Sequence, residues 1–271
     1  MKELVTLKSP AQIALMRRAG LVVGEMLARC SAAVRPGVTT GEIDAVAADV
    51  IREHGATASF LLEDGYPATI CTSVNDEIVH GIPGQRRLRE GDIVGIDAGA
   101  IVEGWHGDAS VTVPVGTVAP EAASLIRVTE EALRRGIAAA RPGGRLGDIG
   151  AAVQGFAESE GFAVVRNYVG HGIGRAMHEA PQVPNYGTAG EGRLINVGLC
   201  IAIEPMVNAG GPATRLQADG WTVRTADGSL SAHFEHTIAV TAEGPVVLTA
   251  PGPAARAEVR PARHRAAAAG R

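Results

Sequence analysis

Four carboxylates stand at the ends of apolar runs, where an unpaired charge is expensive. Asp97 closes Ile93-Val94-Gly95-Ile96, and Glu204 closes Cys200-Ile201-Ala202-Ile203. Asp108 follows Trp105-His106-Gly107 and Glu235 follows Ala232-His233-Phe234, each two residues after a histidine. Taking one such group out of water costs several kcal/mol unless it is paired or holds a cation. Gathered at one place, four anions would repel and could not all ionise unaided. A pair of divalent cations resolves that conflict. His171, in Gly170-His171-Gly172-Ile173-Gly174, completes a set of one nitrogen and four oxygen donors. Such a hard set suits Mn(II), Fe(II) or Co(II) better than a closed tetrahedral zinc site. Two ions about 3.5–4 Å apart share a bridging hydroxide at neutral pH, which is machinery for hydrolysis.

What would gather these residues is a repeat. His80-Gly81-Ile82-Pro83 is echoed by His171-Gly172-Ile173-Gly174, and the run from Gly91 to Asp97 by the run from Gly198 to Glu204. Trp105-His106-Gly107-Asp108 is echoed by Ala232-His233-Phe234-Glu235. Singly each match is weak, since an aspartate at a strand end is commonly a turn former and a histidine among glycines a loop residue. Three matches in one order imply a single domain over residues 1–250, with pseudo-symmetric halves at about 10–118 and 119–250 and an acidic site on the axis between them.

The elements that must hold this site follow from periodicity. Ser9-Pro10 places an N-cap before a proline at the first helical position, and Ile13, Met16, Gly20, Val23 and Leu27 recur at helical spacing to about Cys30. Arg35-Pro36-Gly37 breaks the chain, and Thr39-x-x-Glu42 is a capping box for a second helix. Short β-type runs come next, at 69–73, 93–98 and 111–115. A helix opens at Pro120-Glu121 and ends near Arg141-Pro142-Gly143-Gly144; another runs from about Leu146 to before Gly161. Strands are then expected at 163–165, 200–203, 221–225, 237–240 and 246–248. Residues 251–271 are mostly Ala, Pro and Arg, with almost nothing to bury, and are expected to be disordered.

Composition narrows the chemistry. The chain has 271 residues, 46% hydrophobic and 20% charged, which suffices for a sizeable core. A net charge of −4 and only 3% aromatics argue against a dedicated nucleic-acid or membrane-surface binder. Lys2 and Lys8 are the only lysines, which excludes a P-loop ATPase and a pyridoxal-phosphate Schiff base. Cys30, Cys71 and Cys200 are odd in number and widely spaced, so a reducing cytosol fits better than a disulfide framework. No apolar run approaches the length of a membrane span. Gly170-x-Gly172-x-Gly174 has the wrong spacing for a dinucleotide fingerprint, and His178-Glu179 lacks the second histidine of a zinc-protease helix. No Gly-x-Ser-x-Gly elbow exists, which argues against a serine hydrolase.

Several longer stretches complete the pattern. They are Asn75-Asp76-Glu77-Ile78-Val79-His80-Gly81-Ile82-Pro83, Asp92-Ile93-Val94-Gly95-Ile96-Asp97, Gly104-Trp105-His106-Gly107-Asp108, Gly170-His171-Gly172-Ile173-Gly174, His178-Glu179-x-Pro181, Ile203-Glu204-Pro205-Met206 and Phe234-Glu235-His236-Thr237. From about residue 5 to 250 the chain resembles type I methionine aminopeptidase, of the pita-bread metallopeptidase family. The resemblance implies an α+β class: a pseudo-two-fold duplicated pita-bread fold, an antiparallel sheet covered by helices, and a metal site on the internal axis. It implies two divalent ions per chain, Co(II), Mn(II) or Fe(II), with Zn(II) or Ni(II) as alternatives. Asp97 would chelate one and His171 and Glu204 the other, with Asp108 and Glu235 bridging.

The implied reaction is removal of the initiator methionine from nascent polypeptides whose second residue is small, with the bridging hydroxide as nucleophile. His80 and His178 would contact the substrate around the scissile amide, and Glu204 would exchange protons with the bridging water. One metal would take the free α-amino group, which makes an exopeptidase. The methionine pocket would include Phe60, Tyr66, Cys71, Met177 and Trp221. Met177 stands where a phenylalanine is usual and His233 where a glutamine is usual, and a second tyrosine often seen before Gly65-Tyr66 is missing. Asn75, Glu77 and Ser231 match a monovalent-cation site of the family. The implied partners are nascent N-termini, with transient ribosome contact and no direct nucleic-acid or membrane function, for a cytoplasmic monomer. A prolidase or aminopeptidase P shares similar ligands but usually carries a large N-terminal domain, and only about 65 residues precede the first strand pair. A catalytically dead relative would have lost ligands. A type II enzyme needs a helical insertion, and Glu235 follows Glu204 by only 31 positions.

Overall fold

The structure is a computed structural model that describes residues 4–62 and 65–250. The tail at 251–271 lies outside the described residues. Helix α1 (Pro10–Ala33) opens on a reciprocal cap, in which the Ser9 hydroxyl accepts the Gln12 N–H and the Gln12 side chain accepts the Ser9 N–H. It runs three residues beyond the expected end and stops ahead of Arg35-Pro36, where proline disfavours helical backbone in the residue before it. Helix α2 (Thr40–Glu53) opens on the same device, from Thr39 and Glu42. Helices α3 (Pro120–Ala139) and α4 (Leu146–Ser159) form the second pair.

The first strands are β1 (Thr57–Ala58), β2 (Ile70–Val74), β3 (Glu77–Val79), β4 (Ile93–Val102) and β5 (Trp105–Pro114). Beyond α4 come β6 (Ala163–Val164), β7 (Gly170–Gly172), β8 (Glu179–Val183), β9 (Cys200–Ile203) and β10 (Met206–Asn208). The last are β11 (Thr214–Leu216), β12 (Val223–Thr225), β13 (Ser231–His233), β14 (Glu235–Thr241) and β15 (Gly244–Val247). Strand β5 begins six residues before the expected run, because His106, Gly107 and Asp108 hide it from a search for apolar residues. Trp221 lies in the turn ahead of β12 rather than within it.

The main antiparallel sheet has nine strands in the order β1-β4-β5-β14-β9-β7-β8, with β2 beside β4 and β15 beside β14. Its centre reads alike from both sides: β2-β4-β5 faces β7-β9-β14 across the β5–β14 seam, which pairs Ser110 with Glu235 and Ala109 with His236. Two three-stranded sheets, β13-β10-β6 and β11-β12-β3, flank it. Helices α1 and α2 cover one half of the main sheet over Val23, Met26, Ile43, Val94 and Ile96; α3 and α4 cover the other over Leu133, Ile149, Ile201, Ile203 and Ile238.

Helix α1 lies so close to the segment just after β15 that a Cβ on Gly20 would be driven into the Leu248 carbonyl. Gly20→Ala is therefore expected to cost about 1–3 kcal/mol, as overpacked sites do. A thermal melt should show a fall of roughly 2–4 °C per kcal/mol. An unchanged melting temperature would mean that the helix can retreat freely.

Candidate metal centre

Side chains alternate along a strand, so burying one set against the helices sends the other set to the opposite face. On β4, Val94, Ile96, Ala98 and Ala100 enter the core, leaving Asp97 on the far face. On β5, Ala109 and its packed neighbours Val111 and Val113 do the same, leaving Asp108 and Ser110. On β14, Ile238 and Val240 are buried in the second core, leaving Glu235 and Thr237. Glu204 follows Ile203 at the end of β9 by the same alternation. Register then aligns them: Asp97 pairs with Ser110, and Ser110 pairs with Glu235. Thr237 stitches the seam, its hydroxyl donating to the Asp108 carbonyl at 2.8 Å while accepting the Asp108 N–H at 3.0 Å.

His171 arrives on β7, wedged between β8 and β9. A Cβ on Gly170 would strike the Ala202 carbonyl, and one on Gly172 the Ala180 carbonyl, so the two glycines are there for close strand approach. The imidazole Nδ1–H donates to the Gly172 carbonyl at 2.9 Å, which fixes the tautomer and leaves Nε2 as the ligand atom. That Nε2 is 3.5 Å from Glu204 Oε1 and 3.9 Å from Asp108 Oδ2. Ligand atoms of Asp108, His171 and Glu235 all lie within 4.8 Å of one another.

Asp97 and Glu235 are short of partners. Asp97, Asp108 and Glu235 are 9%, 3% and 2% exposed. Asp97 Oδ1 and Glu235 Oε1 are buried and make no hydrogen bond among the described residues. Nor do Asp97, Glu204 and Glu235 pair with any lysine or arginine there. Burial pushes the Asp97 carboxyl up to about 7. It drives Glu204 and Glu235 well above the usual range, with further push from Asp97 on Glu204 and from Asp108, Glu204 and Asp97 on Glu235. Burial, with His178 nearby, lowers the His171 imidazole to about 4. A set of anions that must shed charge when alone fits a bound divalent cation.

Two cavities open on this cluster. The inner one, of about 90 Å³, is lined by Phe60, Tyr66, Cys71, Met177 and Trp221 together with the five metal candidates. The aromatic wall is tight, with Tyr66 5.8 Å from Phe60 and 5.2 Å from Trp221 between ring centroids. The Tyr66 hydroxyl lies 3.1 Å from the Ile70 carbonyl and 3.0 Å from the Gly81 carbonyl, tying the wall to the His80 turn. The outer cleft, of about 390 Å³, is lined by Tyr168, Glu179, Met206 and His233. His80 and His178 border both. His80 holds φ at 60°, a left-handed conformation that costs an L-residue about 1–2 kcal/mol and is kept where function needs it. Burial lowers its imidazole to about 4, so it is neutral at pH 7. His178 is exposed at the mouth, its ring 4.5 Å from that of His171.

Asn75, Glu77 and Ser231 also meet, but their polar atoms are engaged. The Asn75 carbonyl accepts the Ser231 N–H at 2.9 Å, and its amide bonds Asp92 and the Ile93 N–H. Glu77 Oε1 accepts from Arg86 at 2.7 Å and Arg224 at 2.6 Å. Sequence reasoning did not assign Tyr168 and Met206 to the cleft. Tyr168 carries no periodic signal, although it stands two positions ahead of Gly170-His171.

Residues 14–242 match Metallopeptidase family M24. The chain is 49% identical over 244 residues to the methionine aminopeptidase of Clostridium perfringens, covering 90% of this chain and 98% of that one. Methionine aminopeptidase 1 of Bacillus subtilis is 46% identical over 241 residues, covering 89% and 97%. The crystal structure of methionine aminopeptidase from Rickettsia prowazekii matches with a TM-score of 0.89 at 44% identity, over 91% of this chain and 100% of that one. The prolidase from Pyrococcus furiosus shares the fold, with a TM-score of 0.72 at 20% identity over 91% of this chain and 66% of that one. The family match runs through every strand that carries one of the five metal candidates, and the chain belongs to metallopeptidase family M24.

Proposed function

We propose that the chain is a metal-dependent exopeptidase that removes N-terminal methionine from polypeptides whose second residue is small. One observation carries the reading: a small pocket with an apolar wall adjoins a buried anionic cluster in which Asp97 Oδ1 and Glu235 Oε1 find no hydrogen bond among the described residues. Asp97, Asp108, His171, Glu204 and Glu235 would hold two divalent ions, with Mn(II), Fe(II) and Co(II) suited to this donor set. Bound there, the ions supply Lewis-acid charge and a water made acidic enough to act as nucleophile at neutral pH.

The chain's own side chains do the rest. Phe60, Tyr66, Cys71, Met177 and Trp221 surround the methionine side chain and exclude water from it. His80, neutral at pH 7, donates a hydrogen bond toward the carbonyl oxygen as charge develops there. His178, at the mouth, steadies the leaving nitrogen. Glu204, ionised when it serves as a ligand and made a stronger base by burial, would take a proton from the attacking water and pass it to that nitrogen. A monovalent cation beside Asn75, Glu77 and Ser231 would rest on backbone carbonyls, because the Asn75 and Glu77 side chains are spent. Nascent N-termini are the proposed substrates, for a monomer in transient contact with ribosomes. Three buried free cysteines favour a reducing compartment, the cytoplasm.

Titration of the metal-free protein with Mn(II) or Co(II) tests the centre without any substrate. Calorimetry should count two ions per chain. At a hundredfold excess over Kd, one such site adds about 2.7 kcal/mol to stability, so the melting temperature should climb by several degrees. A stoichiometry of one would refute the dinuclear assignment, and no thermal shift would refute the centre. Release of methionine from Met-Ala-Ser, set against proline-containing dipeptides, then tests the reaction.

A further inference from the structure

Lys8 is one of only two lysines in the sequence, and it is 6% exposed. A lysine so deeply placed needs a partner. Its ammonium sits 2.6 Å from Glu179 Oε2 and 2.7 Å from Thr6 Oγ1, and the Thr6 hydroxyl donates to the same Oε2 at 2.8 Å. The other carboxylate oxygen, Oε1, accepts the backbone N–H groups of Arg175 at 2.8 Å and Ala176 at 3.2 Å. Glu179 therefore closes the 174–179 turn upon itself, and Lys8 ties the closed turn to the segment ahead of α1.

The anchor behind Lys8 is the main sheet. The Lys8 N–H donates to the Gly198 carbonyl at 2.7 Å, and the Gly198 N–H donates to the Val240 carbonyl of β14 at 2.8 Å. A second clamp holds the same turn from the β4–β5 hairpin. The Arg175 guanidinium lies 4.4 Å above the Trp105 ring and donates to the Glu103 and Gly104 carbonyls at 3.2 and 3.3 Å. The fit is close: a Cβ on Gly174 would come within 2.6 Å of both Glu179 Oε1 and Lys8 Cε. His178 is the residue before Glu179, and its ring lies 4.5 Å from that of His171 at the cleft mouth, so a shift of the backbone that carries it moves it relative to the cluster. Lys8 itself does not line the cleft.

We propose that Lys8 is a positioning residue: through Glu179 it holds the 174–179 turn, and with it the His178 imidazole, at the mouth of the cleft. The proposal rests on the reading of His178 as a substrate-contacting group. Small displacements of such a group cost rate steeply, because the reacting atoms must be met in one geometry.

The test is a double-mutant cycle in the full-length, metal-loaded enzyme, with Lys8→Met and His178→Ala made singly and together. Lys8→Met should lower kcat about tenfold with a smaller change in KM. Placed on His178→Ala it should cost nothing further, since groups acting as one unit are not additive. Lys8→Arg, which keeps a cation for Glu179, should recover most of the loss. Thr6→Val, which strands no charge, should act in the same direction more weakly and serves if Lys8→Met folds poorly. Hydrogen exchange on the metal-free protein gives an independent reading: the Arg175 and Ala176 amides should exchange faster in Lys8→Met, while β4 and β5 stay protected. Equal losses in both backgrounds, or unchanged exchange in the turn, would overturn the proposal. Should His178→Ala alone leave kcat unchanged, the reading of His178 would fall and this proposal with it.

Discussion

Asp108→Asn is expected to leave less than about a tenth of the wild-type rate, a barrier increase above ~1.4 kcal/mol, and Glu235→Gln to do the same. Both side chains sit at the β5–β14 seam, where Asp108, Glu235 and His171 offer ligand atoms within 4.8 Å of one another. Removing one charge from that seam weakens the hold on both ions proposed there, whereas the amide keeps the shape and the backbone pairing of the strand. The metal-free protein should respond in the opposite sense. Its Glu235 is forced toward the neutral form by burial and by Asp108, Glu204 and Asp97, so a neutral amide in its place relieves a repulsion instead of breaking a bond. The melting temperature without metal should therefore hold or rise, and the gain on adding Mn(II) should shrink. A variant with more than a tenth of wild-type activity would sink the two-metal assignment. One whose metal-free form melts several degrees lower would show that the carboxylate is structural.

Much of this centre was legible because alternation along strands is a local property. Asp97 and Glu204 announce themselves by closing apolar runs, and the matching offsets of Asp108 and Glu235 point to the same face. The capping boxes at Ser9 and Thr39 are equally local, and both helices begin where those residues place them. What could not be read depends on contacts far apart in the chain. Strand β5 gains its first residues from pairing along β4, with Trp105 opposite Val102, and not from any apolar pattern of its own. The pocket wall of Phe60, Tyr66, Met177 and Trp221 carries no local pattern either, and is expected only through the family resemblance, since the closed sheet is what brings it together. Lys8 and Glu179 lie 171 positions apart, and neither signals the other. Composition shows only that lysine is scarce, with Lys2 and Lys8 among so many arginines, and scarcity says nothing of the partner of Lys8.

A series of Met-X-Ser peptides should show rates falling steeply as X grows from Gly and Ala through Val to Leu and Arg. The apolar wall of the inner pocket, about 90 Å³ and formed by Phe60, Tyr66, Cys71, Met177 and Trp221, suits one unbranched apolar side chain, while the carboxylates on its other side are those proposed to hold the ions. Norleucine should be rejected only weakly, because small apolar differences are worth about 1–3 kcal/mol. With methionine seated there, its carbonyl and the next residue fall at the passage between the two cavities, bordered by His80 and His178. That passage cannot widen cheaply. His80 sits on a left-handed turn tied to Tyr66 through Gly81, and His178 rides on the clamped 174–179 turn. Forcing a bulky X between them is overpacking, which costs about 1–3 kcal/mol or more, equivalent to roughly 5- to 150-fold in rate. Beyond the passage the cleft opens to about 390 Å³, so the third residue should matter little. A flat profile across X would show that the passage yields. A preference for X = Pro without any need for methionine would turn the assignment to an aminopeptidase of the proline-directed kind.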